Sequence, residues 1–84
     1  MILTHKHCEK ARQVTGTNDP DSEIISQFNS ESEETKEKVA KELSAILEND
    51  ESSLGMGLYE ISAKYFMTYP VIFCIFKEWQ SKNR

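Results

Sequence analysis

The sequence contains few of the residues that interrupt helices or cross-link small folds. Its 84 residues include three glycines, two prolines and two cysteines. So few chain-breaking residues favour helices over a many-turned β-sandwich, and two cysteines are too few for a disulfide scaffold. We therefore interpret Cys8 and Cys74 as reduced thiols of a cytoplasmic protein, with a single Cys8–Cys74 bridge as the alternative.

Long apolar runs and targeting signals are also missing. No stretch of 18 apolar residues occurs, so the sequence predicts no transmembrane helix and no membrane partner. The opening residues MILTHKHC lack the basic segment, followed by an apolar one, that marks a signal peptide. The length, with 38% apolar and 29% charged residues, predicts a soluble protein with one helical domain over residues 1–84.

Motifs for catalysis and cofactor binding are absent as well. Gly55 and Gly57 lack the third glycine of a dinucleotide loop, and the sequence has no P-loop, EF-hand loop or triad motif. His5, His7 and Cys8 are a metal-like group, but no second group supplies the remaining ligands that zinc needs. Cys8, beside two histidines, is the candidate nucleophile of an alternative enzyme hypothesis. The sequence predicts no enzyme, no metal site and no cofactor.

Charge is distributed unevenly along the chain. The net charge is −4, but residues 19–51 hold eleven acidic residues against three lysines. This acidic third would repel the phosphates of nucleic acids and attract a basic partner. Because the basic residues are scattered singly among acids, we expect no nucleic-acid partner. The alternative is a solvated helix face that only keeps the protein soluble.

The first half of the chain predicts three helices. The first covers about residues 4–14, and its apolar face is expected to hold Leu3, His7, Ala11 and Val14. The second covers about residues 20–29, with Asp19 as its cap and Pro20 in its first helical position. The third begins at a capping box formed by residues 30–33, SESE, and ends at residues 49–50.

The second half predicts two further helices. One covers about residues 53–67 and carries two apolar stripes. Residues 71–76 are continuously apolar and fit a buried strand or a helix, but no comparable second strand exists to pair with them. We therefore expect a helix of about thirteen residues beginning at Pro70. A helix that is apolar on every side must be surrounded, either by the other helices or by a second chain.

The predicted fold is therefore all-α, a compact bundle of four to five short helices with a buried apolar C-terminal helix. Its predicted function is inhibition of another protein, like that of an immunity protein or antitoxin that covers the basic active site of a toxin or nuclease. The predicted acidic contact residues are Glu34, Glu37, Glu42, Glu48, Asp50 and Glu51. The predicted aromatic contact residues are Tyr59, Phe66, Tyr69 and Trp79. The alternatives are a DNA-mimicking or regulatory decoy and a homodimeric adaptor subunit.

Overall fold

The C-terminal helix is the centre of the fold. The computed structural model describes residues 2–49 and 51–83, except for the side chain of Glu51. Helix α5 (Tyr69–Lys82) packs against α1 (His5–Thr15), α2 (Asp21–Ser30), α3 (Glu33–Asn49) and α4 (Leu54–Tyr65). A 3₁₀ turn (Glu51–Ser53) precedes α4. The predicted all-α bundle with a buried C-terminal helix is confirmed, and residues 71–76 are helical rather than a strand.

The apolar segment of α5 is buried within one chain. Every residue from position 70 to position 76 is buried, and so is Glu78, two residues further on. The same core cluster contains Cys8 and Ala11 of α1, Phe28 of α2 and Leu43 of α3, among others, and all four of the other helices contact α5. The four other helices therefore shield the apolar run, which the sequence left open between self-burial and cover by a second chain.

The predicted apolar face of α1 is wrong in part. Leu3, Cys8 and Ala11 are buried, whereas His7 and Val14 are exposed. The backbone N–H of Thr4 donates a hydrogen bond to Nδ1 of His7 over 3.0 Å. His7 thus satisfies an amide at the start of the helix instead of packing in the core. This shifts the buried stripe to the face that carries Cys8.

Two helix starts also differ from the sequence prediction. Pro20, in an extended conformation, is the N-cap of α2, and Arg12 donates a hydrogen bond to the Asp19 carbonyl over 3.1 Å. The predicted capping box at residues 30–33 is wrong because Ser30 is still the last residue of α2. Instead, Oγ of Ser32 accepts a hydrogen bond from the backbone N–H of Thr35 over 3.1 Å. The cap of α3 therefore lies two residues later than expected.

Asp21 ties α1 to α2 through both of its carboxylate oxygens. Nδ1 of His5 lies 2.5 Å from Oδ2 of Asp21, and the guanidinium of Arg12 pairs with Oδ1. The hydrogen bonds from His5 and Arg12 lower the pKa of Asp21, and the same contact raises the pKa of His5. Asp21, the first residue of α2, thus connects α2 to two residues of α1 that lie about two turns apart.

None of the helices in the described ranges has the length and apolar composition needed to cross a bilayer.

The two glycines of α4 give a matched test of its packing against α3. A β-carbon at Gly57 would lie 2.9 Å from Cδ1 of Leu43 and 3.3 Å from Cγ2 of Ile46. At Gly55 a β-carbon would meet nothing within 4 Å. We expect Gly57→Ala to lower the free energy of unfolding by about 1 kcal/mol through overpacking, although alanine favours the helix. Gly55→Ala should raise it by about 0.5 kcal/mol. Urea denaturation of both variants checks this, and a stabilised Gly57→Ala would show a looser α3–α4 contact.

The link from α1 to α2 should make stability depend on pH. Because its pKa is raised in the folded protein, protonated His5 contributes stability below the unfolded value of 6.5 and loses it as pH rises through the folded pKa. Asp21, with a lowered pKa, contributes above 3.8 and loses it as pH falls. His5→Gln should therefore reduce stability in urea at about pH 5 and have little effect at about pH 9. Lys6→Gln is the control, and an equal effect of His5→Gln at both pH values would contradict the assignment.

Candidate functional site

An acidic groove lies between α3 and α5. Its volume is about 290 Å³, and the residues that define it here are Glu33, Glu34, Lys36, Glu37, Glu78, Trp79 and Lys82. The groove brings Glu34 and Glu37 from the predicted acidic set together with Trp79 from the predicted aromatic set. The sequence did not predict that these three residues lie close together, because their proximity depends on how α3 packs on α5 and not on spacing along the chain.

The groove holds four carboxylates and two ammonium groups. Nζ of Lys36 lies 3.3 Å from Oε1 of Glu33 and 4.1 Å from the centre of the Phe28 ring. Nζ of Lys82 lies 3.5 Å from Glu78 and 4.0 Å from Glu33, and so links the two helices. Burial opposes the ionisation of Glu78, yet positive charges, those of Lys82 and Lys36 among them, hold its pKa below the usual range. The groove is therefore a net negative surface that attracts cationic groups.

The rest of the predicted acidic set is dispersed. Glu42 faces α4, where its Oε1 accepts hydrogen bonds from Nζ of Lys64 over 2.7 Å and from the Tyr65 hydroxyl over 3.0 Å. The bond from Lys64 lowers the pKa of Glu42. Glu48 is exposed near the end of α3. Asp50 and the side chain of Glu51 lie outside the described part of the chain.

A second surface is formed by the outer side of α4. Met56, Tyr59 and Ala63 are exposed and spaced three and four residues apart, which places them along one side of the helix, and the exposed Phe66 follows at its C-terminal cap. The exposed fractions are 66% for Met56, 61% for Tyr59 and 86% for Phe66. We call these four residues the α4 apolar surface. Tyr59 and Phe66 belong to the predicted aromatic set, and Met56 was not predicted.

Phe66 has a backbone conformation that is unusual for a large side chain. It caps the C-terminus of α4 with φ 59° and ψ 43°, and its N–H donates to the Ser62 carbonyl over 2.9 Å. Among the described residues it is the only one other than glycine with a positive φ, and α1 ends at Gly16 in the same conformation. A β-carbon in this region costs about 1–2 kcal/mol. Since the ring is exposed, packing within the chain does not offset that cost.

The turn that carries Phe66 is held by α2. Nε2 of Gln27 donates a hydrogen bond to the Phe66 carbonyl over 3.4 Å. Oε1 of the same side chain accepts from the N–H and from the hydroxyl of Thr68, each over 3.2 Å. One glutamine therefore fixes both ends of the turn between α4 and α5. The Phe66 ring is presented on a fixed backbone rather than on a loose loop.

The other two predicted aromatic residues have a different environment. Tyr69 and Trp79 are half-buried and pack against the core. Trp79 also lines the acidic groove, so it combines a packed side with an accessible one. Tyr69 begins α5 and serves mainly to cover the core. The aromatic set is therefore divided between the groove, the core edge and the α4 apolar surface.

The residues considered for thiol or metal chemistry are either buried or hydrogen-bonded to other groups. Cys8 is buried, and burial raises its pKa, which disfavours the reactive thiolate that the alternative enzyme hypothesis needs. Burial also raises the pKa of Cys74 to about 12. His5 pairs with Asp21, and His7 bonds the backbone of Thr4. Within the described residues no three histidine, cysteine or acidic side chains are placed to hold a metal ion.

Comparison of the chain with protein-family models, with curated proteins and with solved structures finds no match. The candidate site is therefore defined by the geometry of this chain alone. That geometry provides two features that suit contact with another protein, the acidic groove and the α4 apolar surface.

Phe66 can be tested for strain directly. Phe66→Gly removes the β-carbon from a left-handed position, so we expect the free energy of unfolding to rise by about 1 kcal/mol. Phe66→Ala keeps the β-carbon and should stay within about 0.5 kcal/mol of the parent, because the lost ring is exposed. Thermal and urea denaturation measure both variants. Destabilisation by Phe66→Gly would mean that the ring packs on the fold and is not presented to solvent.

Proposed function

We propose that this chain is a small inhibitor that binds a protein with a basic surface and covers its active site. The observation that carries the proposal is Phe66, an aromatic residue held exposed at 86% in a conformation that costs stability. Energetically costly conformations that persist are concentrated at functional sites. Exposed aromatic side chains on a rigid backbone are typical anchors of protein interfaces.

The charges of α3 support a basic partner. Helix α3 packs against both α4 and α5, and the side of α3 that lines the acidic groove carries Glu34 and Glu37. On that side Glu34 pairs with Lys38 over 3.5 Å and Glu37 with Lys41 over 3.2 Å. Exposed ion pairs of this kind contribute about 0–1 kcal/mol, so the carboxylates can exchange their lysines for cations of a partner.

The proposed mechanism is occlusion. Negative charge on the groove and on α3 would speed encounter with a positively charged active site, such as that of a nuclease toxin. The carboxylates of Glu34 and Glu37 would then lie where substrate phosphates lie. Burial of Tyr59 and Phe66 against the partner would slow dissociation, because affinity differences arise mostly in the off-rate. The free, buried thiols of Cys8 and Cys74 support a cytoplasmic location for this function.

A homodimeric adaptor is the second candidate. The α4 apolar surface favours it, because contiguous exposed apolar residues also serve self-association. The decoy hypothesis has less support, since a mimic of DNA needs rows of acids and the outward side of α3 alternates Glu34 with Lys38 and Lys41. The two remaining candidates differ in whether Phe66 contacts a different protein or a second copy.

Capture from the source cells tests the inhibitor. The immobilised chain should retain one basic protein at low salt and release it as salt rises. Phe66→Gly, which should not destabilise the fold, should lose capture by at least about tenfold. Glu34→Lys with Glu37→Lys should also lose it, whereas Glu9→Lys with Glu23→Lys makes the same change of charge on α1 and α2 and should retain it. Quantitative mass spectrometry of the eluates gives the result.

The captured protein must also be inhibited. Its activity on nucleic acid should fall in proportion to added parent chain, reaching full inhibition near equal molar amounts, and should not fall with Phe66→Gly. Val14→Ser, which removes an exposed apolar side chain of α1, should inhibit like the parent. If the eluates contain only the chain itself, as a salt-resistant dimer that Phe66→Gly dissociates, the adaptor replaces the inhibitor.

A further inference from the structure

The lysines of this chain are of two kinds. Of the eight in the sequence, five lie within 4.0 Å of a carboxylate oxygen of glutamate: Lys36, Lys38, Lys41, Lys64 and Lys82. No ion pair is made within the described residues by the other three, Lys6, Lys10 and Lys77. Because the sequence has 14 acidic residues and ten basic ones, it contains enough carboxylates to pair with these lysines as well.

The three unpaired lysines line one groove between α1 and α5. The groove has a volume of about 500 Å³, and His7, Phe73, Cys74 and Ser81 complete its lining. We call it the basic groove. It contains no acidic residue, and every ionisable group that lines it, apart from the buried thiol, is a lysine or a histidine. It uses a different helix pair from the acidic groove and shares no residue with it.

The arrangement of charges across the basic groove is regular. Lys6 and Lys10 are four residues apart on α1, a spacing that places two like charges on one side of a helix and disfavours it slightly. Lys77 and Ser81 are likewise four residues apart on α5. Glu9, the acidic residue nearest in sequence to Lys6 and Lys10, has its carboxylate 3.2 Å from Nε2 of His5 instead. Both walls therefore present hydrogen-bond donors to the space between them.

The floor of the groove is apolar. Phe73 and Cys74 are buried residues of α5 that reach the groove from below. Nζ of Lys77 lies 5.5 Å from the centre of the Phe73 ring, so its ammonium group is positioned over the apolar floor. A ligand that enters would meet cations and a hydroxyl around an apolar base. The scattered lysines of the sequence are thus gathered by the fold into one anion-attracting site.

We propose that the basic groove binds a small phosphate monoester whose organic part is compact and apolar. A phosphate monoester carries a charge of about −1.5 to −2 near neutral pH, which matches several lysines acting as point charges. The volume lies within the range of about 300–1,000 Å³ that is usual for small-molecule sites. The apolar floor of Phe73 and Cys74 would contact the organic part. This site is separate from the surfaces of the proposed inhibitor.

Titration with phenyl phosphate, followed by amide chemical shifts, tests the proposal. We expect saturable shifts confined to α1 and α5 around the groove. Inorganic phosphate should bind at least about tenfold more weakly because it leaves the apolar floor uncovered. Benzyl alcohol, which lacks the charge, should give no saturable shift. Phe66→Gly should bind phenyl phosphate like the parent, so failure here and failure of the inhibitor are distinguishable.

Matched triple variants separate a specific site from general attraction. Lys6→Gln with Lys10→Gln and Lys77→Gln should weaken phenyl phosphate binding by at least about tenfold. Lys38→Gln with Lys41→Gln and Lys64→Gln makes the same change of charge elsewhere and should leave binding unchanged. Lys77→Gln alone should also weaken binding measurably. Equal effects of the two triple variants, absence of saturation, or binding only to vesicles of anionic lipid would overturn the proposal.

Discussion

The apolar segment at residues 70–76 is the constraint on which the rest of the structure depends, because a helix that is apolar on every side must be covered on every side. Four helices supply that cover, and α3 divides its buried side between α5 and α4. Helix α4 therefore buries only its inner side, with Leu58 and Ile61, against the core. The outer side of α4 is exposed to solvent, so Met56 and Tyr59, with Phe66 at the C-terminal cap, are available for another molecule.

The central position of α5 also separates the charges. One side of α5 meets α3, which carries more acidic residues than any other helix, and forms a groove with Trp79. Another side meets α1 and forms a groove with Lys77 and the lysines of α1. A chain with a modest net charge of −4 therefore presents two surfaces of opposite sign. Opposite surfaces on one small domain suit two different partners, a basic protein on one side and an anionic small molecule on the other.

Much of the fold could be predicted from the sequence, since the apolar periodicity of α3 and the run after Pro70 depend on local pattern alone. The errors have local causes that the pattern does not reveal. His7 bonds a backbone amide and is not on the buried face, and Ser30 continues α2 because Ser32 provides the next cap. The sites were predicted less completely, because they depend on which helices meet. Neither the grooves nor the left-handed backbone of Phe66 has a signal in spacing or composition.

The central claim is that one chain suffices to cover α5, which leaves the α4 apolar surface free for another protein. Native-state hydrogen exchange of the amides at residues 72–76 tests it most directly. We expect these amides to exchange only by global unfolding, with the free energy obtained from urea denaturation and with no dependence on protein concentration. Faster exchange at low concentration would contradict the account, because it would show that a second chain completes the cover of α5.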